Sequence, residues 1–124
     1  MRFLAMQAYV ELIRFDAYLL RANFSALYQC VRASPLLERS PASPTLDAIC
    51  AAVDRACVFY PKEVLCLQRS AATTRLLRKH GVPAELVIGA QHIPFRAHAW
   101  VEVGGLVVND KPDVPDTYAV MDRC

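Results

Sequence analysis

Long uncharged apolar runs are missing from this chain, although 55% of its residues are hydrophobic. In the first thirty residues the longest stretch without a charge is about ten, far short of the roughly 20 that a membrane-spanning helix needs. Arg2 followed by Phe3 to Val10 has the outline of a signal peptide. Glu11 and Arg14 cut that run short, however, and no clean small-residue cleavage site follows. The expectation is a soluble, cytoplasmic protein with no membrane span. An excess of one charge is also lacking: 14 Lys+Arg against 12 Asp+Glu leave a net +2, which excludes strong electrostatic attraction to nucleic acid. At 21% charged residues the composition is too apolar for a disordered tail. The five cysteines, Cys30, Cys50, Cys57, Cys66 and Cys124, are odd in number and contain no CxxC pair. Neither a disulfide framework nor a zinc ribbon is expected, and no Cys/His spacing suggests a metal. Repeats and low-complexity segments are absent. The 124 residues leave room for one domain, expected to span 1–124 with a helical part over 1–60 and a catalytic part over 61–124.

What is present changes character along the chain. Residues 3–31 read as one long helix, with Gln7, Glu11, Arg14, Tyr18 and Arg21 as a polar stripe. Ala5, Ala8, Leu12, Phe15, Leu19 and Ala22 form an apolar stripe at the same spacing. The remaining surface is still rich in Phe, Tyr and Leu. The helix therefore either packs on both sides or meets a partner, and some of Phe3, Phe15, Tyr18, Phe24 and Tyr28 are expected to stay exposed. Ser34 to Pro44, with three prolines and three serines, reads as a connector. A second helix is predicted over Thr45–Val58, with Thr45 or Ser43 as N-cap. A third could begin at Pro61, and Gly81 and Pro83 end it. Beyond Gly81, Ala84–Ala90, Phe95–Val103, Leu106–Asn109 and Tyr118–Met121 read as short strands. Helices followed by an antiparallel meander make an α+β fold.

The chemistry concentrates in the second half. Cys66 lies near the start of the third helix, where unpaired N–H groups and the helix dipole favour an anion, and the thiolate is the nucleophilic form of cysteine. His98 lies in the strand Ala97–Val103, and Asp110 follows the next strand across the hairpin signal Gly104–Gly105. A two-residue loop would put His98 opposite Lys111, with Asp110 on the wrong face. A three-residue loop would put His98 opposite Asp110, and Gly105 can supply the left-handed residue such a loop needs. On that register Asp110 would fix the tautomer of His98, and His98 would take a proton from Cys66. Trp100 shares the strand face of His98 and reads either as core or as a wall of the substrate cleft. Glu102 lies too far along the strand to reach the imidazole easily. Gln68, two residues from Cys66 on a helix, would point elsewhere. Arg69, Arg75, Arg78 and Lys79 make the third helix basic, either as a solvated face or as an attraction for acidic peptide. His80 and His92 read as helix-end and loop residues.

The stretch Cys66 to Asp110 resembles the transglutaminase-like cysteine proteases of lasso peptide biosynthesis, the leader-peptidase B proteins. The resemblance rests on Cys-Leu-x-Arg-Ser opening a helix, a helix-ending Gly-Val-Pro and a Leu-Val-Ile-Gly strand. Phe-x-Ala-His-Ala-Trp-Val-Glu and an Asn-Asp after the hairpin complete the set. It implies a papain-like fold without cofactor, with Cys66 as nucleophile, His98 as general base and acid and Asp110 as orienting carboxylate. It also implies removal of the leader from a ribosomally made precursor. A separate leader-binding protein would deliver the precursor in trans, and an ATP-dependent cyclase would act afterwards. Two other readings stand beside it: acyl transfer to an amine, and a non-catalytic leader-binding or scaffold module.

Overall fold

A computed structural model describes residues 2–124. Along the described residues, five helices and four strands follow one another as α1 (Arg2–Leu20), α2 (Phe24–Arg32), α3 (Leu46–Val58), α4 (Cys66–Lys79), β1 (Ala84–His92), β2 (Phe95–Val103), β3 (Leu106–Val107), α5 (Val114–Thr117) and β4 (Ala119–Arg123). The α+β class expected from the change of period is what the chain adopts. No helix among the described residues is long and apolar enough to cross a membrane.

The predicted single helix over 3–31 is two helices. Ala22 takes a left-handed φ of 51°, and the N–H groups of Ala22 and Asn23 bond back to Leu19 and Tyr18. That is a Schellman ending built on alanine, where glycine is the usual residue. Asn23 then starts α2, its side chain accepting from the Ala26 N–H at 3.1 Å. Apolar periodicity runs through this break because both helices pack on the same core, so spacing alone does not reveal it. The second predicted helix holds its boundaries, with Thr45 Oγ1 accepting from the Ala48 N–H. The third begins later than Pro61: the chain is extended at Leu65, and Cys66 is the first helical residue. Its end is where the sequence puts it. Gly81, at φ 84°, closes a second Schellman ending, and a Cβ there would fall 2.7 Å from the Arg39 backbone.

One core joins these elements. Ala8, Leu12 and Phe15 of α1 meet Leu27 and Val31 of α2, Ile49 and Val53 of α3, Leu76 and Leu77 of α4, and Leu86 and Val101 of the sheet. Each large side chain removed from water here contributes about 1.5–3 kcal/mol. The opposite side of α1 is bare: Phe3, Met6, Val10, Ile13 and Leu20 are all exposed. Phe3 at 67% and Phe24 at 50% bear out the expectation of exposed aromatic residues, while Phe15 is fully buried.

The polar stripe expected on α1 is partly internal. Glu11 is buried and takes the Arg75 Nε at 2.7 and 3.0 Å, while Arg75 also donates to Ser34. Arg78 donates to the carbonyls of Val31 and Ala84. Arg75 and Arg78 of α4 are therefore struts between helices and sheet. They form neither a solvated face nor an open basic surface, because each cation is occupied inside the fold. Gln68 is buried and donates to the Leu12 carbonyl at 2.9 Å, away from Cys66 as expected.

The four strands form one antiparallel sheet in the order β3-β2-β1-β4. The expected meander holds for β1 to β3 only. After β3 the chain turns through α5, whose Val114 packs with Val87 and Trp100, and β4 joins the far edge beside β1.

Candidate active site

Cys66 is the first residue of α4 and exposed, unlike the four other cysteines. No side chain caps this helix end, so the N–H groups of its first turn keep their donor capacity next to the sulfur. Burial pushes the Cys50 thiol up to about 11, with Asp54 and Asp47 adding to it. Burial likewise raises Cys57 and Cys124.

His98 and Asp110 meet, by a route other than the expected one. The hairpin loop has two residues: Val103 pairs with Leu106 and Glu102 with Val107, and Gly104 and Gly105 are both left-handed, at φ 59° and 81°. The three-residue register is thus overturned. The pair forms because β3 ends after Val107 instead of continuing to Asn109. The Val108 N–H still bonds to the Val101 carbonyl at 3.0 Å. The returning bond, which a continued strand would make with its backbone carbonyl, is made instead by the Asn109 side chain, whose Oδ1 accepts from the Val101 N–H at 2.8 Å. Released from the ladder, the chain brings Asp110 Oδ2 to within 2.6 Å of His98 Nε2. Burial acts to raise the Asp110 carboxyl. The bonds from His98 and the Lys111 N–H, with the charges of His98 and Arg69, outweigh it and hold the group below the usual carboxylate range.

The same Asn109 ties this pair to the helix of Cys66. Its Nδ2 donates to Ser70 Oγ at 3.0 Å, and Ser70 in turn donates to the Ala99 carbonyl at 3.1 Å. Ser70 stands one helical turn beyond Cys66, so a buried two-bond bridge runs from α4 to the strand beside His98. Arg69 adds a further donor to the Asn109 carbonyl and lies 3.7 Å from Asp54. Arg69, read in the sequence as one of a basic face, is a brace of the loop that carries Asp110. Ser70 and Asn109 carry no chemical signal of their own in the sequence, although both stand in the motifs Cys-Leu-x-Arg-Ser and Asn-Asp.

Cys66 and His98 border one cavity of about 110 Å³, together with Phe24, Leu67, Ile88 and Ala97. Among the described residues no hydrogen bond joins the sulfur to the imidazole. The two are neighbours on a wall.

A sequence profile described as the transglutaminase-like superfamily matches residues 11–123, nearly the whole chain. The chain belongs to the transglutaminase-like superfamily. Within this transglutaminase-like protein, 56 residues are 46% identical to the microcin J25-processing protein McjB of Escherichia coli. That stretch covers 45% of this chain and 27% of McjB. Both findings bear out the family resemblance read between Cys66 and Asp110. No solved structure matches the chain significantly.

The remaining residues of this transglutaminase-like protein fall into supporting places. Trp100, which the sequence offers either as core or as a wall of the substrate cleft, is fully buried. Its indole donates to Glu102 at 2.8 Å, and it packs behind His98 with ring centroids 6.1 Å apart. Tyr118 lies 5.1 Å from the His98 ring, nearly parallel to it. Gly89, paired with His98 across the sheet, leaves the space that Trp100 fills: a Cβ there would sit 2.6 Å from the indole. Burial acts to raise Glu102, but bonds from Arg123, at 2.7 Å, and Trp100 hold it down, so it is engaged away from the imidazole. His80 bonds to Gln7 at 2.9 Å and His92 is exposed. No group of three or more potential metal ligands exists among the described residues.

Proposed function

We propose that this protein is a cysteine peptidase that removes the leader from a ribosomally made lasso precursor, with Cys66, His98 and Asp110 as its triad. The observation that carries the reading is the 2.6 Å His98–Asp110 pair on the rim of a cavity that Cys66 also borders, from the first residue of a helix. The partial identity to a microcin-processing protein supports the substrate class. Asp110 accepts from His98 Nε2, which leaves Nδ1 as the basic nitrogen. That nitrogen takes the Cys66 proton as the sulfur attacks the scissile carbonyl, and the contact tightens when substrate is bound. The backbone N–H groups at the start of α4 receive the tetrahedral oxyanion. His98 returns the proton to the departing amine, leaving a thioester. His98 then deprotonates a water that attacks the thioester, and the proton restores the thiol as the carboxylic acid leaves. A separate leader-binding protein presents the precursor, and the ATP-dependent cyclase uses the freed core peptide.

Thiol labelling tests the triad. Cys66 should react with iodoacetamide faster than Cys30, Cys50, Cys57 and Cys124, and His98→Ala should slow that reaction. Exposure alone would favour Cys66, so an unchanged rate in His98→Ala refutes the assignment. Product masses in the presence of a free amine distinguish hydrolysis from acyl transfer, the reaction that the superfamily name brings to mind.

A further inference from the structure

The walls of the cavity beside Cys66 differ from its rim. Apart from Cys66 and His98, every lining residue is apolar: Phe24 from the start of α2, Leu67 from α4, and Ile88, Ala97 and Ala99 from the sheet. Phe24 is half exposed and stands outside the buried core, at the first position of its helix, where Asn23 and not Phe24 supplies the cap. A second, wider hollow of about 440 Å³ shares Phe24 and Ile88 with the first and is bordered further on by Met121, itself 69% exposed, and by Asp122. An apolar patch left open to water beside a reactive thiol is an arrangement that binding explains and folding does not.

We infer that Phe24, Ile88 and Ala97 form a subsite for an apolar side chain of the peptide substrate, on the acyl side of the scissile bond. This rests on the peptidase reading above and extends it to specificity. The cavity borders both the sulfur and the imidazole, and we assign its occupant to the segment that stays attached as the thioester, the side that the probes below occupy. The wider hollow beyond Phe24 receives the preceding part of the same segment. Asp122 at its border disfavours acidic residues there. No lysine or arginine lines either hollow, so neither offers a permanently cationic partner to a carboxylate.

The test uses two pairs of peptidyl fluoromethyl ketones, in which the Cys66 sulfur displaces fluoride. The members of a pair differ only in leucine or glutamate, placed at the first acyl-side residue in one pair and at the second in the other. Second-order rates of adduct formation are measured by mass spectrometry on the whole protein, with the adduct mapped to its cysteine. In one pair the leucine probe should react on the order of ten-fold faster or more. Phe24→Ala should bring that ratio toward one, and Phe24→Lys should turn it toward glutamate. The ratio cancels any general change in thiol reactivity, and Phe24 lies outside the core, so both variants fold. Equal rates within both pairs, or a ratio indifferent to Phe24, would overturn the subsite while an adduct on Cys66 leaves the peptidase reading standing. Failure of all four probes to modify Cys66 faster than the other cysteines would overturn both.

Discussion

Replacing Asn109 by alanine removes the side chain that stands in for a strand. Two bonds go with it. The Val101 N–H, buried and otherwise unpaired, loses its acceptor at 2.8 Å, and Ser70 Oγ loses its donor at 3.0 Å. An orphaned buried N–H costs about 1–3 kcal/mol and a lost neutral bond about 0.5–1.5 kcal/mol, so about 2–4 kcal/mol is expected in all. Against a total stability of about 5–15 kcal/mol the variant still folds, with a melting temperature lowered by about 8–16 °C. Urea unfolding of Asn109→Ala, Ser70→Ala and the double variant gives the coupling between the two side chains directly. The bridge predicts that the double variant loses less than the sum of the singles, by about 0.5–1.5 kcal/mol. Strict additivity, or a loss below about 0.5 kcal/mol in Asn109→Ala, would refute the reasoning that this bridge holds the hairpin to α4.

Other consequences follow from the same contacts. Gly89→Ala should destabilise by about 1–3 kcal/mol, because its methyl needs space the Trp100 indole occupies, and tryptophan fluorescence should report the displaced ring. Ala22→Gly should raise stability by about 0.5–1 kcal/mol in urea unfolding, since φ 51° strains alanine and suits glycine. Asp110 and Glu102 sit below their ordinary values, so the unfolded chain binds protons at a higher pH than the folded one. Their contribution is complete above the unfolded value of about 4 and lost as pH falls through the lowered folded values. The urea midpoint should therefore change little through these groups between pH 7 and about 5 and fall below about 4. Asp110→Asn should flatten part of that fall.

The members of the candidate site are legible in the sequence, while the way His98 and Asp110 are joined is not. Cysteine at a helix start, histidine in a strand and aspartate past a Gly-Gly turn are visible because each has a positional signal. The register is not: it depends on where β3 stops, and that is decided by Asn109 outbidding a backbone carbonyl for the Val101 N–H, a tertiary choice without a local signature. The break at Ala22 escaped for a similar reason, because the usual glycine is missing and Asn23 is a cue only once a break is suspected. Arg69, Arg75 and Arg78 read as a basic face, since charge on a helix is normally solvated. Their partners, Glu11 and a set of backbone carbonyls, are distant in the chain and become neighbours only in the fold. The burial of Trp100 likewise depends on α5 folding over it, and α5 is four residues long.

The central claim is that Cys66, activated by the His98–Asp110 pair, cuts a peptide bond at the end of a lasso leader. It is tested most directly by mass spectrometry of a cognate precursor incubated with the protein, with and without its leader-binding partner. The account predicts free leader and core with the partner present, with the leader ending in a carboxylic acid. It predicts no cleavage by Cys66→Ala under the same conditions. Cleavage that persists in Cys66→Ala, or an intact precursor with wild-type protein and partner together, would contradict it.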